Sequence, residues 1–506
     1  MPARPNSTVE ETGWLSGGLN TNDPTHMLQN NQTPEAQNFD PSNPLGAARR
    51  KGFTEWTDNA STVTTVGTHV SGLLGGTFSD GDIAIMASEG TRLYDLGDGG
   101  VDNDGPTNWP TPLSGTTIAA NEPVRMVMFD DFVCIFNGDG TTTNGPYKYD
   151  DSAISVLQSS GSTIDGALGG TLHKQRLYAW GVPANPSKMY WSEPGNPEDF
   201  HTIADDKAGS ENVFIDDGTI INGMKSSGDV LWVSKQSADD DGLEGNIFGV
   251  FGNSPAESTI KKIAHFSAIS QEAMLDYDGV MIIASPEGVF SLSGRGIAML
   301  SRDIQSEYLA IPEKGTISLG RHQNQVWMAY PASGSNNNRV FVLDMALGRW
   351  SKYVGNGNIK MMTNHPDGSL LTGTASGSSN FIHKQVDGEH DNGAGIQFVW
   401  ETPDLSFGDF SKDKIGKLFF VHAKDTGSFT LTMKRYLDGE LQSDSSAYTF
   451  SVAAAGDIDR VVERMVLPST DRNSKFIRFR LENEEAGGDV LVYGWAAYAN
   501  VAEPTR

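Results

Sequence analysis

Asp278-Gly-Val-Met-Ile-Ile-Ala-Ser-Pro-Glu-Gly-Val-Phe-Ser291 is the stretch from which the fold can be read. Val280–Ala284 is an unbroken apolar run, entered through an Asp-Gly turn and closed at once by Ser285-Pro286-Glu287. It is too short and too punctuated for a helix, and it is rich in strand formers. A second strand, Gly288-Val-Phe-Ser, follows directly, so the unit reads as consecutive antiparallel strands joined by tight turns.

Working outward, the same unit recurs at Ile83–Ala87, Phe132–Phe136, Leu177–Trp180, Val230–Ser234, Val326–Tyr330 and, more weakly, Ser369–Gly373. Polar turns precede these strands at Asp82, Asp130-Asp131, Gly228-Asp229, Gln323-Asn324 and Asp367-Gly368. Partner strands follow at Arg92–Asp95, Tyr147–Asp150, Lys188–Ser192, Arg339–Asp344 and Phe381–His383. The period is roughly 43–53 residues, near that of propeller blades, and long loops at Asp95–Thr107 and Ser237–Asn246 stretch it. A small sheet of this kind cannot bury both faces alone, whereas sheets stacked around an axis cover one another. An all-β fold is therefore expected, with a β-propeller of about seven blades over residues 56–390.

The flanks differ. Residues 1–55 are rich in Asn, Thr, Pro and Gln, with isolated apolar anchors at Trp14, Leu19, Met27, Leu28 and Phe39. No period is sustained, so this segment is either an extended N-terminal arm ordered by a partner surface or a strap across its own domain. After Asp391-Asn392-Gly393 the strands lengthen: Ile396–Thr402, Lys417–Ala423, Ser428–Tyr436, Lys475–Leu481 and Val490–Trp495. Phe429, Leu431 and Met433 alternate with Thr430, Thr432 and Lys434, which gives one dry face and one wet face and predicts a β-sandwich over 391–506. The best helix candidate is Ser301–Ala310, with its serine as cap.

Composition narrows the function. The 506 residues hold 64 acids against 37 Lys and Arg, a net charge of −27, which argues against a protein that grips nucleic acid or anionic lipid over a broad face. One cysteine excludes an internal disulfide framework and any multi-cysteine zinc site. Neither a signal-peptide core near Met1 nor an apolar window of about 18 residues is visible, so a soluble chain made in a cytoplasm is expected.

No residue set stands out as catalytic, cofactor-binding or metal-binding, and no cofactor or enzymatic activity is expected. The acidic clusters Asp98–Asp104, Asn137-Gly-Asp139-Gly-Thr and Asp239-Asp240-Asp241-Gly242 do not complete a calcium loop and read as solvated turns. The ten histidines are scattered, no Gly-x-Ser-x-Gly elbow occurs, and Gly355-Asn-Gly-Asn lacks the lysine of a phosphate loop. Cys134 sits inside a strand and reads as a small core residue. Trp180, Trp191, Trp232, Trp327 and Trp350 fall on or beside blade strands, where packing between blades is the commoner use and a sugar-stacking face the rarer one. Glycoside hydrolysis needs only two placed carboxylates, and composition leaves it open.

The segment Gly17-Gly-Leu-Asn20, Pro34-Glu-Ala-Gln-Asn-Phe39 and Arg50-Lys-Gly-Phe53 resembles the opening of structural proteins from tailed-phage virions. So do the blade motif Leu177-Tyr-Ala-Trp-Gly…Asn185-Pro-Ser-Lys-Met-Tyr-Trp-Ser-Glu-Pro-Gly-Asn-Pro-Glu-Asp-Phe200 and the run Ile283-Ala-Ser-Pro-Glu-Gly-Val-Phe. The order of arm, propeller and sandwich is similar to that of the tail hub, or nozzle, proteins of short-tailed bacteriophages. The resemblance implies a virion structural protein forming a homo-oligomeric ring, of six copies, below the portal and adaptor. It further implies a DNA exit channel without tight DNA binding, and contacts with tail fibres or tailspikes and a plug or needle. The runner-up reading is a receptor- or glycan-binding module, with a propeller glycoside hydrolase behind it.

Overall fold

The computed structural model describes residues 7–56, 69–97, 112–114, 118–119, 122–137, 145–158, 163–201, 207–215, 217–237, 245–294, 296–374, 382–424, 429–442, 448–452, 461–467, 474–483 and 490–501. Seven small antiparallel sheets stand around one axis. Their innermost strands are Val70–Thr77, Arg125–Phe129, Gly169–His173, Thr219–Ser227, Met274–Tyr277, Ser318–His322 and Ile359–Asn364. Each touches the next, and the last touches the first, so the ring is closed. Blade 1 has three described strands; the others have four.

The strands most legible in the sequence are the second ones, such as Ile83–Glu89, Phe132–Phe136, Arg176–Trp180 and Gln325–Tyr330. Each is sandwiched between two neighbouring blades, and alternate side chains serve alternate neighbours. Val133 and Ile135 of blade 2 pack with Ala84 and Met86 of blade 1. Cys134 and Phe136 of the same strand pack with Leu177 and Ala179 of blade 3. The turns into these strands require a left-handed backbone, which explains their residues: Asp130 has φ 47°, and Asp278 and Gly279 have φ 49° and 81°.

Residues 7–55 form the strap. Ser7–Trp14 lies antiparallel along Leu491–Val501 of the sandwich. The short pair Phe39–Asp40 and Ala47–Arg49 extends the same sheet at Leu491 and Val492. Phe53–Glu55 becomes the outer strand of blade 7 against Ile382–Gln385, so the propeller is closed by its own N-terminal side. Ala36–Gln37 is the seam: Gln37 pairs with Lys352 of blade 6 on one side and with Val399 of the sandwich on the other. Blade 6 and one sandwich layer thereby become a single ten-stranded sheet.

The sandwich has the expected alternation, with Phe429–Leu437 dry and wet by turns. Phe419 and Phe479 meet across its core with ring centroids 4.3 Å apart. That core is continuous with the propeller: Phe39 of the strap packs edge-on against Trp400, and Trp350 of blade 6 belongs to the same cluster. Leu15, Leu19, Ala36, Phe39 and Ala47 of the strap therefore belong to this shared core.

One buried ion pair rivets the join. Arg50, whose side chain is 1% exposed, places its two terminal nitrogens on Asp391 at 2.7 and 2.5 Å. Its Nε donates to Asn38 Oδ1 and a terminal nitrogen donates to the Val354 carbonyl. The guanidinium also lies over the Tyr353 ring. Asn38, at φ 56°, accepts the Val354 N–H and donates to the Gln397 carbonyl. Gly355 is required here, because a Cβ would sit 2.8 Å from the Asp391 carboxylate on a backbone at φ 98°.

The helix candidate is a 3-10 turn, Ser301–Ile304, running into an α-helix, Gln305–Leu309. Ser301 does not cap it; its hydroxyl accepts the Val289 N–H of blade 5 instead, tying the turn to the blade.

Asp391→Ala leaves the Arg50 cation buried without its carboxylate. It is expected to lower unfolding free energy by about 3–5 kcal/mol in chemical denaturation. Limited proteolysis should then release the strap first.

Candidate functional site

The inner strands leave an axial channel with a cavity of about 240 Å³, lined by Leu73, Arg125, Met126, Lys225, Glu272, Met274, Gly320, Arg321, Met361 and Met362 among others. Most of these residues come from the inner strands, which border the axis; Glu272 comes from the short 3-10 turn Gln271–Ala273 that leads into blade 5. Gly320 is needed for closeness, since a Cβ would meet the Met362 side chain at 2.8 Å.

An ion pair crosses the channel. Arg125 of blade 2 holds Glu272, at the start of blade 5, with Nε–Oε1 2.8 Å and a second contact of 3.2 Å. These blades stand on opposite sides of the ring. Arg125 also donates to the Leu168 carbonyl and lies over the Trp180 ring. Trp180 Nε1 donates to Gln271, whose amide donates to the Gly170 carbonyl. Burial would raise the Glu272 carboxyl, but the charge and hydrogen bonds of Arg125 outweigh it and hold it below the usual range.

Lys225 lines the same cavity, and Lys360 lies on the inner strand of blade 7. Burial lowers the Lys225 ammonium, offset in part by Glu272 and Asp276. It lowers Lys360 as well, offset by Glu272. The opposite mouth is acidic: the turns between first and second strands carry Asp80, Asp82, Asp130, Asp131, Asp229, Asp278 and Asp367. Crowding there reaches Asp151, whose carboxyl is raised by burial and then by the charges of Asp95, Asp82 and Asp80.

A second concavity, of about 290 Å³, lies on the outer sandwich face. Trp14, 57% exposed, stands edge-on to His422, while Phe420 and Tyr498 pair beside them. Glu10, Thr12, Gly494 and Ala496 complete it.

The residues singled out in the sequence have packing positions. Trp180, Trp232, Trp327 and Trp350 are buried between elements, and Trp191 is half-buried with its indole N–H on the Lys207 carbonyl. Cys134 is fully buried, and burial pushes its thiol well up. Asp98–Asp104, Asp139 and Asp239–Asp241 lie outside the described residues. Among the described residues no group of three or more His, Cys, Asp or Glu is placed to hold a metal ion, and no helix is long and apolar enough to cross a membrane. Arg125, Lys225 and Glu272 carry no sequence signal, because each belongs to a different repeat and only ring closure brings them together.

The architecture defines an all-β propeller protein with a fused sandwich. No family model matches the chain, and no curated protein matches it. Among solved structures it is similar to the WD40 domain of Neurospora crassa Pan2, at 8% identity over 67% of this chain and 97% of that one, TM-score 0.43. It is similar also to a PQQ-bound aldose sugar dehydrogenase from Streptomyces coelicolor (11% identity, 66% and 98% covered, TM-score 0.32). A third is an exo-β-1,3-galactanase from Phanerochaete chrysosporium (9% identity, 65% and 96% covered, TM-score 0.24). These likenesses concern the propeller fold alone.

Cys134 is expected to resist a thiol reagent in the native protein and to react stoichiometrically once urea unfolds it, as absorbance of the released chromophore will show. The pH response follows from two histidines. His173, bonded to Ser226 at 2.8 Å, and His383, stacked on Phe53, are both pushed down to about 4 by burial. Between pH 6.5 and 4 the unfolded chain binds protons that the folded rings refuse. Stability is therefore full above pH 6.5 and falls as pH drops through that window, by on the order of 2 kcal/mol per histidine at pH 4.5. Urea titrations of wild type and His383→Gln at pH 7 and 4.5 check this: the variant should lose less on acidification.

Proposed function

We propose that this chain is a structural subunit of a bacteriophage tail, of the hub or nozzle type, in a six-membered ring beneath a portal and adaptor. The observation that carries the reading is the seam at Ala36–Gln37, which merges blade 6 and a sandwich layer into one ten-stranded sheet. Hydrogen bonds run unbroken from propeller to sandwich, which suits a part that transmits load rather than one that opens around a substrate. The motif residues behind the family resemblance support it too, since Asn38 and Arg50 are the residues that build the rivet.

The passage for DNA lies between copies in this reading. The propeller's own channel is barred by Arg125 and Glu272, and the cavity there, of about 240 Å³, is too small to pass a duplex whose major groove alone is about 12 Å wide. An acidic wall lets DNA slide, because each cationic contact would add affinity. The aspartate rim is one such surface. Fibres or tailspikes and a plug or needle are the partners this role requires, and the virion tail is its location.

Negative-stain microscopy of the purified protein, alone and with a portal ring, tests the reading. Six-fold rings are expected in one or both, with assembly promoted by added salt or divalent cation, which screen the mutual repulsion of acidic subunits. A protein that stays monomeric under all these conditions overturns it.

A second reading, a glycan-binding virion module, is favoured by the exposed Trp14 beside His422, Tyr498 and Glu10. It requires polysaccharide binding that is lost in Trp14→Ala, measured by tryptophan fluorescence.

A further inference from the structure

The outer face of the sandwich departs from the alternation that its strands otherwise follow. Trp495, Ala497 and Ala499 of Leu491–Val501 pack into the core, as do Phe419, Val421 and Ala423 of Lys414–Ala423. The residues between them face outward, where a solvated sheet face is ordinarily polar. Here they are Ala496, Tyr498, Phe420 and His422, joined by Trp14 from the strap. Strand register assembles them. Gly494 stands between His422 and Trp14, Ala496 between Phe420 and Thr12, and Tyr498 beside Glu10.

These residues line the concavity of about 290 Å³. Trp14 and His422 form one corner, with ring planes at 85° and centroids 6.2 Å apart. Phe420 and Tyr498 form another, at 75° and 5.7 Å. Trp14 and Glu10 lie four residues apart on one strand, which separates the two ends by roughly 13 Å of backbone. Rings set at right angles bound a corner; a pyranose stacks on one broad ring plane. The Tyr498 hydroxyl donates to the Glu10 carboxylate. Among the described residues, Glu10 is the one carboxylate in the lining, which holds no lysine or arginine. Arg464, opposite Phe420 on Val461–Val466, is exposed and lies outside the lining.

We infer that this concavity binds a methylated, quaternary ammonium group, with the rings as its walls and Glu10 as its counter-charge. A quaternary ammonium is compact, weakly hydrated and coated with methyl groups. Aromatic rings attract its charge through their quadrupoles, tryptophan most strongly, while the methyls bury apolar surface against them. A chain of net charge −27 also raises the concentration of cations at its surface. The group has two sources, a free choline-like molecule or the headgroup of a choline lipid. The inference goes beyond the tail reading, since rings can form without the site and the site can bind without rings. It departs from the glycan reading of the same concavity, and the test separates the two.

The test uses the full chain and choline chloride, exchanged for sodium chloride at constant ionic strength. Choline is expected to change tryptophan emission saturably, whereas ammonium chloride, which carries no methyl groups, leaves it unchanged. Broadening of the choline methyl proton resonance is a second measurement that does not need Trp14 as reporter. By that readout Trp14→Ala should weaken binding about tenfold, and Trp14→Phe should restore most of the loss. Glu10→Gln should weaken it about threefold. Both side chains are exposed, so these variants are expected to keep the wild-type Tm. Phosphocholine binding as tightly as choline identifies the headgroup as the ligand; its exclusion identifies the free cation. Saturable binding of cellobiose with no response to choline would overturn the proposal. Choline binding of equal strength in wild type and Trp14→Ala would do the same.

Discussion

Arg50 and Asp391 meet inside the protein, and the rest of the architecture turns on that meeting. The arginine belongs to the strap, the aspartate to the chain as it leaves the propeller, and the carbonyl and ring that complete the contact belong to blade 6. A guanidinium out of water is tolerable only when its donors are satisfied, and here Asn38, Lys51, Val354 and Asp391 satisfy them. Because those groups come from three parts of the sequence, the cation specifies one arrangement of all three. The strap can then run on to close blade 7 with Phe53–Glu55.

Charge is sorted with respect to the axis. Aspartates collect in the first hairpin turns of five blades, where a tight left-handed turn and contact with water both favour them. The scarce basic residues include Arg125, Lys225 and Arg321, which line the channel together with Glu272. A strongly acidic chain thus presents one acidic mouth and one cationic interior. Net charge described only the first of these.

Legibility followed burial. The second strand of every blade was readable as a short apolar run, because it is covered on both faces, and the sandwich strands were readable as alternation, because they are covered on one. The third strand of blade 4, Gly245–Phe251, was missed, since it follows the long polar loop that stretches the period. Sequence alone leaves the N-terminal segment as either arm or strap: its pairing partners lie hundreds of residues away, and strands of two or three residues such as Ala36–Gln37 leave no periodicity. Ser301 has the sequence of a helix cap, yet its hydroxyl serves the Val289 N–H, a partner that only the packed blade supplies.

The sequence by itself determined an all-β chain, a repeat of about seven units, a terminal sandwich and the place of its one cysteine inside a core strand. Those properties rest on local pattern and on the water-fearing faces of single strands. Tertiary structure alone decided that the N-terminal segment sews propeller to sandwich, and that Arg125, Lys225, Glu272 and Arg321 share one channel. Both results come from closure of a ring, which brings together residues from different repeats that no spacing along the chain relates.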